Sequence, residues 1–296
     1  MDWPKARAIL LAAFTVVNLI LAYSVWGPTA LFPGQTDTPQ GQTLEQFRET
    51  LSNWKLTLAP NVLLPRTPDP MRFVRVEFQP TPDLMKWSSE LSGVAPDMSG
   101  RDDLAAAESL QPHINPQTQA MEYFPLAKGL AARSVTLTES REVTALAEDY
   151  LRVMSLFPVG ARFSGTTENK EKGTVIVEFV PFFDNRPVYS GYVRAEISSR
   201  GVEKVTRFWV VPRSYTEAPA KQVRPASEAL LRLAGRLAST KPRTVTDIQL
   251  GYYAGQPLSP AQSDDVHGWD TVPVWRITLD GYELYYINAF NGEWES

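Results

Sequence analysis

Nineteen consecutive uncharged residues, Ala8 to Trp26, constrain this chain more than any other part of it. They are mostly apolar, and as a helix they reach roughly 28 Å, about the thickness of a bilayer's hydrocarbon core. Lys5 and Arg7 precede the run, and the next charge is Asp37. The positive-inside rule then leaves the N-terminus in the cytoplasm and the long remainder outside the cell. Trp3, Tyr23 and Trp26 stand near the ends, where amphipathic rings favour the headgroup zone. Residues 1–27 therefore read as a cytoplasmic N-terminus and a single-pass anchor. A cleaved secretory signal is the competing reading. It calls for a shorter apolar core and a small-x-small cleavage site, where this chain has Tyr23, Val25 and Trp26. Both readings place the folded part beyond the cytoplasm.

Residues 28–41 are linker chemistry, rich in Pro, Gly, Gln and Thr. About 255 residues come after it, enough for a large core that needs no covalent staple. There is no cysteine, which removes disulfides, thiolate nucleophiles and thiolate metal sites. A net charge of -4 gives no general electrostatic reason to bind nucleic acid.

Beyond the linker, Leu44, Phe47, Leu51 and Trp54 recur at helical spacing behind Thr43. Pro60, Pro65, Pro68 and Pro70 then exclude helix and central strand. Strands are expected over 72–79 and 121–126, with a short helix over 84–91. Residues 42–135 form an N-terminal lobe in this reading. From Thr136 the pattern sharpens. Thr136 and Glu139 have capping-box spacing ahead of a helix whose face runs Val143, Leu146, Ala147, Tyr150, Leu151 and Met154. Strands are expected over 161–167, 173–181, 187–198 and 202–211, broken by turn-like segments. Pro225 then suits the start of a second helix, with Leu230, Leu233, Ala234 and Leu237 on its face. Strands are expected next over 244–254, 272–279 and 282–289, the last two joined by Asp280-Gly281, a strong hairpin signal. Residues 136–296 thus form a C-terminal lobe of two helix-plus-antiparallel-meander units. The fold class is α+β: one transmembrane helix and an extracytoplasmic ectodomain.

The opening MDWPKARAILLAAFTVVNLILAY resembles the N-terminus of YycI (WalI) proteins, which begin with Met-Asp-Trp, a basic residue or two and a single membrane helix. IQLGYYAGQP and VPVWRITLDGYELYYINAFNGEWE look like that family's C-terminal strands, and YYINAFNGEWE is similar to the closing hairpin of PepSY-type repeats. The resemblance covers both ends and, more loosely, 173–211 and 225–238. It implies a YycH/YycI-like ectodomain and a membrane-anchored regulator of the WalK–WalR (YycG–YycF) two-component system, which controls cell-wall metabolism in low-GC Gram-positive bacteria. The implied partners are a WalK-type sensor histidine kinase and a YycH-like accessory protein. The alternative is a PepSY-like extracytoplasmic module that binds a peptide, wall fragment or peptidase.

The residues allow candidate surfaces to be named. Ala8, Ala12, Thr15, Leu19 and Ala22 fall in one stripe of the anchor, with Asn18 on its flank. The Ala8/Ala12 spacing permits close helix approach, and Asn18 near the bilayer centre is better satisfied by a partner helix than by lipid. Late aromatics, Tyr252, Tyr253, Trp275 and Tyr285 among them, are either core and edge packing or a surface for a partner ectodomain. Catalytic signals are sparse. His113 and His267 are the only histidines, and Asp264, Asp265 and His267 read as a solvated loop rather than a metal site. Glu178 and Asp184 flank an apolar strand and would suit a glycosidase pair, but carboxylates this common need geometry before they carry meaning, and an enzyme is not the expectation. The expectation is a non-enzymatic protein that uses no cofactor or metal.

Overall fold

A computed structural model of the chain describes residues 43–80, 113–115, 118, 120–125, 129–169, 171–237, 241–254 and 268–295, together with Phe14 and Asn18. Most of the expected anchor, the linker and the helix expected at 84–91 lie outside these residues. Among the described residues no helix is long and apolar enough to cross a membrane.

The described fold is α+β, with three α-helices and mostly antiparallel sheets. Helix α1 (Leu44–Asn53) begins at a reciprocal capping box: the Thr43 hydroxyl accepts from the Gln46 N–H, and the Gln46 side chain accepts from the Thr43 N–H. Its Phe47 and Leu51 are fully buried, whereas Trp54 falls at the C-cap and is half exposed. Helix α2 (Ser140–Val153) buries the expected face from Val143 to Leu151. Its expected capping box does not form. Glu139 is the N-cap and offers no side-chain bond, because Thr136 to Glu139 make a turn before the helix starts. Helix α3 (Ala226–Leu237) starts one residue after Pro225, whose carbonyl accepts from Glu228 and Ala229.

The first sheet takes strands in the order β1 (Leu56–Leu58), β12 (Arg243–Tyr253), β13 (Gly268–Leu279), β14 (Glu283–Asn288) and β15 (Trp294–Glu295). The start of β13 also pairs with β2 (Val74–Phe78), which in turn pairs with β11 (Val210–Tyr215). Among the described strands of this sheet, β1 alone joins in parallel, at β12, and an isolated parallel bridge ties Val188 to Tyr252. Helices α1 and α3 cover one face of this sheet, with Leu230, Leu233, Trp275, Ile277 and Ile287 in the shared core. The second sheet runs β3 (His113–Ile114), β4 (Met121–Tyr123), β10 (Gly201–Phe208), β9 (Tyr192–Ser198), β6 (Thr174–Val180), β5 (Arg162–Asn169). Helix α2 packs on its apolar face, over Val177, Phe179, Val193, Ala195 and Val205. A small hairpin, β7 (Phe182–Phe183) and β8 (Arg186–Pro187), turns through Asp184 and Asn185, both at positive φ.

Helix followed by antiparallel meander therefore occurs twice: α2 with β5, β6, β9 and β10, then α3 with β12 to β15. Position 135/136 does not separate the two sheets. Strands β1 and β2 and helix α1 are built into the sheet formed by the last strands, while β3 and β4 extend the other. Trp209, the single residue between β10 and β11, carries the chain from one sheet to the other, so two strands that read as one continuous segment belong to different layers.

Candidate functional site

Strand periodicity decides what meets between the two sheets. In β13, Trp275, Ile277 and Leu279 point to the helices, which sends Val274, Arg276 and Thr278 to the opposite face. In β6, Val175, Val177 and Phe179 face α2, which turns Glu178 and Val180 toward the first sheet. The junction is apolar at one end, where Val180, Tyr189 and Val274 are buried and Tyr253 stacks on Tyr286 with ring centroids 4.1 Å apart. Backbone approach there is close. A Cβ at Gly251 would stand 2.6 Å from the Pro187 carbonyl, and the Tyr189 N–H donates to the Tyr252 carbonyl at 2.7 Å.

The other end is polar and built around Arg276, whose side chain is 4% exposed. Its Nη1 donates to Glu178 Oε1 at 2.7 Å and to the Ser164 hydroxyl at 2.9 Å. Its Nη2 donates to Gln249 Oε1 at 3.1 Å and to the Ser164 carbonyl at 3.3 Å. The guanidinium lies over the Tyr189 ring, 4.2 Å from its centroid. Glu178 Oε2 accepts from Arg194 Nε at 2.8 Å, completing an Arg–Glu–Arg chain across the junction. Burial raises the Glu178 carboxyl, but Arg194 and Arg276 outweigh it and hold the group below the usual carboxylate range. Asp247 goes the other way: burial raises it, and Arg276 with the Ile248 N–H offsets only part of that.

Beside this chain opens a cleft of about 530 Å³, bounded by the edge strand β5, by β12 and β13, and by the β13–β14 turn. At that turn Asp280 and Gly281 have φ of 54° and 81°, the two positive values of a tight hairpin. The Gly281 carbonyl accepts from the Glu168 N–H of β5 at 3.3 Å. With Arg276 on the Ser164 carbonyl, the first sheet thus covers both ends of an otherwise open strand edge. Its lining carries the hydroxyls of six Ser and Thr residues and the amide of Gln249, with the acids Glu168, Glu178 and Asp247 around Arg276.

The sequence-derived candidates fare unevenly. Ala8, Ala12, Thr15, Leu19 and Ala22 lie outside the described residues. Asn18 is helical and exposed, and its Nδ2 donates to the Phe14 carbonyl at 2.8 Å. Of the four late aromatics offered as a partner surface, Tyr252 and Trp275 are 1% and 0% exposed, so neither presents a surface. Their strand positions face helix α3 and its core, and Trp275 Nε1 donates to the Arg224 carbonyl at 2.9 Å. Tyr253 and Tyr285 are half-buried, the first against Tyr286 and the second against Trp294 at 5.2 Å. His113 lies in β3 opposite Glu122, and Asp264, Asp265 and His267 lie outside the described residues. Asp184 accepts from the Tyr215 hydroxyl at 2.8 Å, while Glu178 is committed to two arginines. Among the described residues no group of three or more His, Cys, Asp or Glu side chains could hold a metal ion.

Sequence reasoning missed Arg276, Gln249 and Ser164. A signal was present: TVIVEFV and VPVWRITL each hold one charge inside an apolar strand. A charge buried in that setting requires a partner of opposite sign, and these two are each other's. No family model and no curated protein matches the chain.

Proposed function

We propose that this chain is a membrane-anchored regulatory protein that biases a cell-wall-controlling sensor histidine kinase of the WalK type, through both its anchor and its extracytoplasmic part. The observation that carries the reading is the order of parts. An apolar run of bilayer length with basic residues before it is followed by a Pro/Gly linker and then by a folded α+β body whose first helix is capped at Thr43. The resemblance of both ends to YycI proteins supports the same role and adds a YycH-like protein as second partner. A subunit of this kind acts by preferring one signalling state of the kinase over another.

The test is cross-linking of the full-length protein in native membranes, beside a version whose residues 6–26 are replaced by an unrelated anchor. Recovery of a kinase or a second single-pass protein, lost on the swap, supports a transmembrane regulatory subunit. Recovery of no membrane partner overturns it.

The cleft at the sheet junction favours a second reading, an extracytoplasmic module that captures a ligand. Its size lies within the range of about 300–1,000 Å³ common for small-molecule sites. Retention of function after the anchor is swapped distinguishes it from the first.

A further inference from the structure

We propose that the junction cleft binds a neutral saccharide, an inference that rests on the second reading, ligand capture at this cleft, and gives that ligand a chemical class.

Charge excludes the first alternatives. Arg276 is the one cationic side chain among the described residues that line the cleft, and three carboxylates, Glu168, Glu178 and Asp247, outnumber it. Its Nη1 and Nη2 groups already serve Glu178, Ser164 and Gln249. A phosphate or carboxylate ligand would meet net negative charge and no uncommitted fork of donors. Nor do the acids gather into a cation site: no group of three ligating side chains is found among the described residues. A purely apolar ligand would strand the hydroxyls of Thr166 and Thr278 without water.

What the lining does offer is a dense set of groups that both donate and accept. Hydroxyls can serve either way, and the carboxylates of Asp247 and Glu168 accept only. Gln249 is fixed in sense. Its Oε1 accepts from Tyr189 Oη and from Arg276 Nη2, each at 3.1 Å, which leaves its NH2 as the donor. A sugar ring carries hydroxyls around its rim and C–H groups on its faces. Leu284 meets the second requirement: its half-buried apolar side chain borders the cleft, so an apolar sugar face can cover it. Arg276 and Glu178 hold the floor rigid and do not themselves need to contact the ligand.

The test uses the full-length chain in lipid nanodiscs, since detergents bearing sugar headgroups would compete. It is titrated calorimetrically with N,N'-diacetylchitobiose and with cellobiose, and separately with spermidine, inorganic phosphate and tetra-alanine. Binding of either disaccharide, weakened about tenfold by Leu284→Ala and by Asp247→Asn, is expected. Leu63→Ser, at an exposed position away from the cleft, should leave it unchanged. Circular dichroism of each variant separates loss of binding from loss of fold. Disaccharide binding that ignores both cleft variants overturns the proposal. Tetra-alanine binding alone, lost in the same variants, overturns the saccharide assignment and keeps the cleft as a ligand site. Silence from every probe overturns both the assignment and the ligand-capture reading on which it rests.

Discussion

Arg276 and Glu178 meet across the two sheets with Nη1 and Oε1 2.7 Å apart, their side chains 4% and 9% exposed. Each comes from the middle of an apolar strand, and each is the reason the other can be buried as an ion. Arg194 shares the carboxylate from its far side but is 32% exposed, so it keeps access to water.

That asymmetry predicts how the junction breaks. Glu178→Leu leaves Arg276 buried without its hydrogen-bonded counter-charge, and the cost is expected at about 3–5 kcal/mol. Adding Arg276→Met to the same chain removes the stranded charge, and because the site is already walled by Tyr189 and Val274 the double variant should recover much of the loss. Arg194 can turn to solvent in both. Denaturant unfolding of the single and double variants measures the difference. A double variant no more stable than Glu178→Leu alone would show that the pair supplies something other than charge compensation.

The two junction carboxyls also set opposite pH responses. Glu178 is depressed in the folded state by Arg194 and Arg276 against its burial, so the folded state binds its proton less readily than the unfolded chain. Its stabilisation is complete above the unfolded carboxyl range, near about pH 4.3, and is lost as pH falls through the lower folded value. Asp247 is raised by burial, so its contribution is complete below about pH 3.9 and is lost as pH rises through the folded value. Asp247→Asn is therefore expected to raise the melting temperature at pH 7 and to have little effect well below pH 4. Melting curves of wild type and variant across that interval check the sign, and a variant less stable at pH 7 contradicts it.

Trp275 separates packing from partner contact. It is fully buried beneath α3, with its indole N–H on the Arg224 carbonyl, so truncation opens a cavity and orphans an acceptor. Trp275→Ala should cost about 3–5 kcal/mol. Tyr285→Ala, at a half-buried edge position, should cost clearly less. Unfolding midpoints rank the two, and equal costs would mean that the edge aromatics are as structural as the core ones.

Much of this body was legible from spacing. Phe47 and Leu51, Val143 to Leu151, and Leu230 to Ala234 sit where helical periodicity places them, and Asp280-Gly281 makes its hairpin because both positions accept positive φ. What spacing does not carry is the assignment of strands to layers. Nothing local in Val202 to Val211 marks the change of sheet at Trp209, because the apolar pattern continues through it. Parallel addition of Leu56–Leu58 to β12 joins residues nearly 190 positions apart, a pairing no local signal encodes. The inward turn of Tyr252 and Trp275 follows from register alone: a strand tells which residues share a face, and only the packed helix tells which face is inside. The cleft was invisible for the same reason, since Ser164, Asp247 and Arg276 come together from three strands.

Asn18 offers the sharpest test of the proposed anchor. Its Nδ2 donates to the Phe14 carbonyl four residues earlier, which satisfies one amide donor locally and leaves Oδ1 to accept from a neighbour. In a bilayer that acceptor is better placed against another helix than against lipid. Interhelical hydrogen bonds of this kind are worth on average about 0.6 kcal/mol and at most about 1.7. Replacing Asn18 by Leu is thus expected to lower partner cross-linking by roughly three- to twentyfold, most strongly when Thr15→Leu is combined with it. Membrane insertion should be unchanged or improved, because leucine favours the hydrocarbon core. Cross-link yield normalised to the membrane fraction reads both quantities. An unchanged yield in the double variant would place the docking face elsewhere on the anchor or in the ectodomain.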